Sequence, residues 1–157
     1  MLTVKNLTKT IDFARAEELL HFALDGKLAN DVQLNIVESD KTLDRLGDAE
    51  YELQALLYRP VPDRHQYSLI IRKRLYGTLE SVIFHESVHL RQFEAGNLDI
   101  DMKAGTYTWN GEEWPATFPY MARPWEIEAF QGQAALSKDW RALQKSVKKV
   151  KKCLFKK

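Results

Sequence analysis

The sequence predicts an α+β fold in which a small antiparallel or mixed sheet packs on helices. Residues 77–96 and 124–157 have the length and apolar spacing of helices. Residues 32–37 and 66–73 are short segments rich in apolar and β-favourable side chains, which is typical of strands. At 157 residues with no repeat and no low-complexity linker, the chain is expected to form a single domain over residues 1–157.

The first helix is predicted over residues 10–25. Apolar residues recur there at helical spacing, and Thr10 or Asp12 can serve as the N-cap. Residues 32–37 alternate apolar and polar side chains, which indicates a half-buried strand. The charged segment 41–47 is either one helical turn or a loop.

Residues 51–58 and 66–73 are predicted to form a hairpin that joins strand 32–37 in one sheet. Segment 51–58 is favourable for a strand, but its leucines and alanine also permit a helix. Between the two segments, residues 60–63 contain two prolines and are predicted to form a turn.

The next helix is predicted to follow Thr78, a plausible N-cap, and to stop at Gly96. Residues 97–103 are interpreted as a connector. Asn110-Gly111 separates two β-favourable segments and predicts a type I′ hairpin. Pro124 suits the first position of a long helix that runs to the end of the chain. Its apolar residues recur in steps of four and three, which indicates a narrow seam packed on the domain or on a partner: Leu136, Trp140, Leu143, Val147, Val150 and Leu154.

Charge is unevenly distributed along the chain. The formal net charge is +1, but seven of the 23 Lys and Arg residues lie in residues 145–157, which contain no acidic residue. Residues 1–144 therefore carry 16 basic and 22 acidic residues, a net charge of −6. We interpret the lysine-rich tail as a solubilising helix end, with contact to nucleic-acid phosphates as the less favoured alternative.

The sequence also indicates in which cellular compartment the protein is expected. Cys153 is the single cysteine, which excludes an internal disulfide and a multi-cysteine zinc site. The first 20 residues lack a basic segment followed by an apolar run, and no apolar run approaches the roughly 18 residues of a membrane span. We therefore expect a cytoplasmic protein without a membrane partner. The pattern does not indicate an oligomeric state.

The helix predicted over 77–96 contains an HExxH motif, His85 to His89. On a helix with 3.6 residues per turn, the two histidines lie on the same face and can bind one metal ion. Glu86 projects about 100° around the helix, next to that face, where a carboxylate can accept a proton from an activated water. The motif predicts a site for one zinc ion per chain.

A catalytic zinc site usually has three protein ligands. The continuation HExxHxxGxxH is missing, because Gln92 and Ala95 stand where its glycine and third histidine would be. His21 and His65 both precede the motif, so a downstream carboxylate is the better third ligand. The candidates are Glu94, Asp99, Asp101, Glu112, Glu113, Glu126 and Glu128.

Position along the chain narrows these candidates. Glu94 lies five residues beyond His89, too far along the same helix to reach the same ion, and the two glutamates of the hairpin are expected in solvent. Glu126 and Glu128 begin the last helix, where a carboxylate on a crossing helix can complete the site. Two residues apart, they point to opposite sides of that helix, so at most one of them is a ligand.

The sequence HESVH, followed by ARPWEIEAF, resembles the gluzincin clan of HExxH metallopeptidases. It is most similar to the small thermolysin-type cores called minigluzincins, and to HExxHxxQ…PWExEA proteins of phage and bacterial genomes, over about residues 66–136. The resemblance implies a zincin-like domain whose ligand glutamate has a small residue three positions later. This favours Glu126, followed by Ala129, over Glu128. The aspartate that the thermolysin-like pattern carries one turn after the glutamate is Phe130 here, so another group must orient the histidines.

The activity that the resemblance implies is that of a zinc metallopeptidase acting on a peptide or protein substrate. His85, His89 and Glu126 would hold the zinc, and Glu86 would be the general base for a zinc-activated water. The strand at 66–73 is expected to pair with an extended substrate.

A further donor should stabilise the oxyanion. Tyr120 is the first candidate, ahead of Tyr107, Arg123 and His65. The alternative function is a catalytically silent zincin domain, either a binding protein or a virion-associated structural protein. The replacement of the aspartate by Phe130 gives this alternative some support.

Overall fold

The computed structural model describes residues 1–46, 52–61, 64–101 and 103–154. It confirms an α+β fold with one mixed sheet, one antiparallel sheet and a long C-terminal helix. The elements in chain order are β1 (Leu2–Leu7), α1 (Phe13–Leu24), β2 (Val32–Glu38), α2 (Asp40–Leu46), β3 (Ala55–Tyr58), β4 (Gln66–Ile71), α3 (Leu79–Glu94), β5 (Leu98–Asp101), β6 (Thr106–Trp109), β7 (Glu112–Pro115), a 3₁₀ turn (Tyr120–Ala122) and α4 (Pro124–Leu154).

The first sheet has the strand order β1-β2-β4-β3. Strands β1, β2 and β4 run parallel to one another, and β3 is antiparallel to β4, so the predicted hairpin of β3 and β4 is confirmed. Strand β1 has no counterpart in the predictions. It is an edge strand with one buried residue, Leu2, and its pairing with a strand 30 residues away leaves no local sequence pattern.

Strand β4 is internal, because β2 and β3 pair with its two sides. The expectation that strand 66–73 pairs with a substrate is therefore wrong, since its backbone donors and acceptors are already used within the sheet. The strands with an open side are β1 and β3, at the two edges of the sheet.

The second sheet is antiparallel, with the order β5-β6-β7. Asn110 and Gly111 have φ values of 49° and 84°, and the predicted type I′ hairpin is confirmed. The interpretation of 97–103 as a connector is wrong for residues 98–101, which form β5 along β6. Met102 lies outside the described residues.

Local sequence signals define the ends of the helices. The side chains of Asp12 and Thr78 cap α1 and α3 by accepting from backbone N–H groups three residues later. Gly96 has a φ of 72° and follows the end of α3, as predicted. Segment 41–47 is helical from Asp40 to Leu46, and Gly47 lies outside the described residues.

Helices α3 and α4 cross at close range, and this crossing positions the candidate site. A Cβ atom added to Gly132 of α4 would lie 2.6 Å from Cγ2 of Val88 in α3. No real Cβ makes so short a contact, so the two helices approach this closely only because residue 132 is glycine. Trp125, Ala129, Leu136 and Trp140 of α4 are buried against the rest of the protein.

Beyond Trp140, α4 extends away from the core. The seam residues Leu143, Val147 and Val150 are 43%, 40% and 59% exposed. Of the seam side chains that the structure describes, only Leu136 and Trp140 are packed on the domain. Among the residues that the structure describes, no helix is both long enough and apolar enough to cross a membrane.

We expect Gly132→Ala to destabilise the protein, because the added methyl group overlaps Val88. Overpacking in a core costs about 1–3 kcal/mol, whereas alanine improves helix propensity over glycine by about 1 kcal/mol. A net loss of about 1 kcal/mol should appear in urea unfolding. In a Val88→Ala background the same change should be neutral or stabilising. Equal destabilisation in both backgrounds would contradict the role of this contact.

Candidate metal centre

His85 and His89 on α3 and Glu126 in the first turn of α4 converge on one point. The two Nε2 atoms lie 3.1 Å apart. Oε2 of Glu126 lies 3.2 Å from Nε2 of His85 and 3.3 Å from Nε2 of His89. The three potential ligand atoms thus form a nearly equilateral triangle.

The size of this triangle fits a zinc ion. Two ligand atoms about 2.0–2.1 Å from one zinc ion, at a tetrahedral angle, are about 3.3–3.4 Å apart. All three separations are close to that distance. Two imidazole nitrogens and one carboxylate oxygen are also a donor set that catalytic zinc sites use. The residues present therefore fit a divalent metal ion held by three protein ligands.

Electrostatics also favours a cation at this point. All three residues are buried. Burial alone would raise the pKa of Glu126, but hydrogen bonds from the two imidazoles outweigh it and hold that pKa well below its usual range. Burial lowers the pKa of His89, but the hydrogen bond to Glu126 and the charge of that carboxylate raise it to about 9. The carboxylate thus stays ionised and attracts positive charge to the centre of the triangle.

Glu86 lies beside the triangle and is also buried. Loss of hydration raises its pKa, although the neighbouring histidines and a hydrogen bond from the backbone of Leu57 in β3 favour the charged form. A carboxyl group with a raised pKa can both accept and return a proton, which is the property of a general acid–base group.

Gln92 orients His89. Its Oε1 is 2.8 Å from Nδ1 of His89, and its Nε2 donates to the carbonyl of Trp125 at 3.0 Å. Because an amide oxygen can only accept, Nδ1 of His89 carries a proton, and Nε2 is the nitrogen that a metal ion would bind by displacing its proton. The same side chain ties α3 to the residue before Glu126. This role of Gln92 was not predicted from the sequence, although Gln92 lies one turn after His89.

His85 is held differently. Its Nδ1 has no hydrogen-bond partner among the described residues, and its ring contacts Phe130 with centroids 4.7 Å apart. Phe130 therefore packs on the ring of His85 without offering it a hydrogen bond.

Tyr120, the first candidate for an oxyanion donor, lies beside the metal-ligand triangle, where it is hydrogen-bonded to Glu126. Burial raises the pKa of Tyr120, and the charge of Glu126 together with a hydrogen bond to its carboxylate raises it further. The hydroxyl is therefore protonated and can donate. Arg123 donates to the carbonyls of Phe118 and Ala116, and its guanidinium packs over the rings of Tyr107 and Tyr120.

Of the weaker donor candidates, Arg123 and Tyr107 border the cleft and His65 does not. Tyr107 stacks on Trp125 with ring centroids 5.0 Å apart. His65 pairs with Glu94, whose carboxylate also accepts from Tyr67 and Asn30. This polar cluster joins the end of α3 to β4 and explains why Glu94 is not available as a ligand.

The remaining carboxylate candidates are not part of the triangle. Glu128 is exposed on α4, and Asp99 pairs with Arg59. The side chain of Asp101 accepts from the backbone of residues 103 and 104, and both hairpin glutamates are exposed. His21 pairs with Asp25 on α1.

A cleft passes along β3 and widens on both sides of Glu86 and Tyr120. The first cavity, on the His89 side, has a volume of about 200 Å³, and the second, on the His85 side, about 260 Å³. The backbone N–H of Arg72 donates to Gln54, which makes these two residues a hydrogen-bonded pair of the β3–β4 ladder. Because such pairs alternate, the backbone groups of Ala55 and Leu57 point away from β4 and toward the cleft.

Comparisons with family models, curated proteins and solved structures found no match for this chain.

We predict that Gln92→Leu lowers the affinity for added Zn²⁺ by about 10–100-fold, because His89 loses the acceptor that fixes its tautomer. Competition with a chromophoric chelator measures the affinity, at a temperature where circular dichroism shows both proteins folded. Gln131→Leu, an exposed change on α4, is the control and should leave the affinity unchanged. Equal affinities of Gln92→Leu and the unsubstituted protein would contradict the orienting role.

Glu94 should contribute pH-dependent stability. Burial would raise its pKa, but hydrogen bonds from Tyr67, Asn30 and His65 lower it below the ordinary value of 4.5. A lowered pKa in the folded state gives stability that is present above about pH 4.5 and is lost as the pH falls through the folded-state pKa. Glu94→Gln should therefore reduce the free energy of unfolding by about 1–3 kcal/mol at neutral pH.

The difference between Glu94→Gln and the unsubstituted protein should shrink as urea unfolding is repeated at lower pH. Glu113→Gln, an exposed change on the hairpin, controls for the loss of one carboxylate. A difference that stays constant between pH 7 and 3 would exclude the ionised form of Glu94 as the source of the stability.

Proposed function

We propose that this protein is a zinc-dependent metallopeptidase of the zincin type, with one zinc ion per chain. The observation that carries the proposal is the buried triangle of His85, His89 and Glu126, whose sides of 3.1–3.3 Å suit one tetrahedral zinc ion. Glu86, in the same helix, adds a buried carboxyl group next to the triangle.

The protein's own residues supply the other functions of such an enzyme. A bound zinc ion supplies Lewis-acid activation of water and of the substrate carbonyl. Glu86 accepts a proton and returns it to the leaving amine, for which its raised pKa is suited. Tyr120, whose hydroxyl stays protonated, donates a hydrogen bond to the oxygen that becomes negative.

The edge strand β3 provides a surface for an extended peptide. The outward-facing backbone groups of Ala55 and the carbonyl of Leu57 can add a substrate segment to the sheet, next to Glu86, which accepts a hydrogen bond from the N–H of Leu57. This takes the role that was expected of strand 66–73. Pairing through the backbone would hold a peptide in the cleft regardless of its sequence, and the two cavities would then select side chains.

A catalytically silent zincin domain is the second candidate, as a binding protein or a virion-associated structural protein. The observation in its favour is the Nδ1 atom of His85, which has no hydrogen-bond partner among the described residues. Such a protein would bind metal at the same triangle but would show no Glu86-dependent hydrolysis.

Two matched pairs of variants test the proposal. Glu126→Ala should abolish stoichiometric zinc binding, whereas Glu128→Ala should retain about one zinc ion per chain, as measured by elemental analysis. Glu86→Gln should keep the zinc and the fold but reduce peptide hydrolysis by about 100-fold or more, with Glu80→Gln on the same helix as the control. Zinc uptake that is equal in Glu126→Ala and Glu128→Ala would refute the metal site. Zinc binding without any Glu86-dependent cleavage would favour the silent domain.

A further inference from the structure

We infer that the first cavity, on the His89 side of Glu86, is a specificity pocket. It would take a large apolar side chain from a substrate residue that lies N-terminal to the cleaved bond. The inference rests on the proposed function, because it assigns a substrate class to the same cleft.

The two cavities lie at opposite ends of the cleft. The first is bordered by His89 and Phe93, from the C-terminal half of α3, and by Leu56 and Tyr58 of β3. The second is bordered by earlier residues of the same segments, which include Ser81 and Val82 of α3 and residues 52–54 before β3. Four of the described residues border both cavities, namely Leu53, Ala55, Glu86 and Tyr120, so the reacting bond would lie between the cavities, beside Glu86.

The direction of β3 decides which part of a substrate enters which cavity. An extended peptide that pairs antiparallel with β3, the commoner and more stable arrangement, runs from the Tyr58 end toward the Ala55 end. The residues that precede the bond at Glu86 then lie beside Tyr58, and those that follow it lie beside residues 52–54. The first cavity therefore faces the N-terminal side of the cleaved bond.

The lining of the first cavity is suited to an apolar group. Its walls beyond the catalytic residues are formed by leucines and aromatic or aliphatic side chains from both sheets, among them Leu56, Leu98, Ile100 and Tyr107. The buried guanidinium of Arg123 borders the cavity, but it already donates to the carbonyls of Ala116 and Phe118. The second cavity is bordered by Glu52, Gln54, Ser81 and Gln133, but Val82 and Phe130 also border it, and most of its exposed lining is apolar as well. The first cavity is thus matched to a large apolar side chain, and its place in the cleft assigns that side chain to the residue before the cut.

A larger side chain at position 116 would fill the first cavity without replacing any of the three candidate metal ligands. Ala116 borders the cavity, is exposed, and bonds its neighbours only through backbone atoms that a substitution retains. Ala116→Leu would place three more carbon atoms at the rim. Gln133→Leu makes a comparable change in the second cavity and is the matched control.

The test is cleavage of a diverse peptide library by the zinc-loaded protein, with cut sites identified by mass spectrometry. The unsubstituted protein should prefer Leu, Phe, Tyr or Met on the N-terminal side of the cut. Ala116→Leu should lower kcat/KM for those peptides at least tenfold relative to peptides with Ala at the same position, since changes of one or a few methylenes in a pocket have effects of about 10–200-fold. Gln133→Leu should alter selection only on the C-terminal side.

The outcomes separate the two proposals. If the unsubstituted protein and Glu86→Gln both cut nothing, the proposed peptidase function fails. If cleavage depends on Glu86 but shows no apolar preference before the cut, or if Ala116→Leu changes only the residue after the cut, the peptidase stands and the specificity pocket is wrong.

Discussion

An ionised carboxylate buried between two imidazoles is the interaction on which the rest of this structure depends. Removing a carboxylate from water costs several kcal/mol, so Glu126 is tolerated inside the protein only where positive charge or hydrogen-bond donors meet it. Both imidazoles come from α3, whereas the carboxylate comes from α4. The crossing of these two helices must therefore be fixed to within a fraction of an ångström. Gly132 against Val88 fixes their separation, and Gln92 on the carbonyl of Trp125 fixes the start of α4.

The two sheets act as walls around this helix pair. The first sheet presents its edge strand β3 to Glu86, and the second sheet supplies Tyr107 and Trp109 against the buried ring of Trp125. Trp125 immediately precedes Glu126, so the aromatic packing also holds the ligand turn in place. Arg123 completes the arrangement by binding the carbonyls of the loop that leads to Tyr120. Each wall of the cleft thus contacts a residue next to the triangle.

The sequence was sufficient to predict the elements whose signals are local. The cap at Thr78, the stop at Gly96, the Asn110-Gly111 hairpin and the start of α4 at Pro124 follow from backbone preferences of single residues. Strands β1 and β5 were missed, because their pairing partners determine them more than their own composition does. The same limit applies to the cleft. Which strand of the hairpin lies at the edge depends on the parallel pairing of β4 with β2, and no local pattern records that pairing.

Spacing on one helix predicted the two histidines and Glu86 of the candidate site. Position along the chain narrowed the third ligand to Glu126 or Glu128, and a resemblance favoured Glu126. The groups around the two histidines show why the rest of the site could not be predicted. Gln92 supports His89 through a hydrogen bond, but Phe130 contacts His85 through packing alone. A metal held here would therefore depend unequally on its two histidines: His89 is pre-oriented, whereas the Nδ1–H of His85 must remain buried without an acceptor among the described residues. Phe130 also forms a wall of the second cavity. An aspartate at this position would satisfy His85 but would place a charge in the cleft, so the same phenylalanine weakens the hold on one histidine and keeps that part of the cleft apolar.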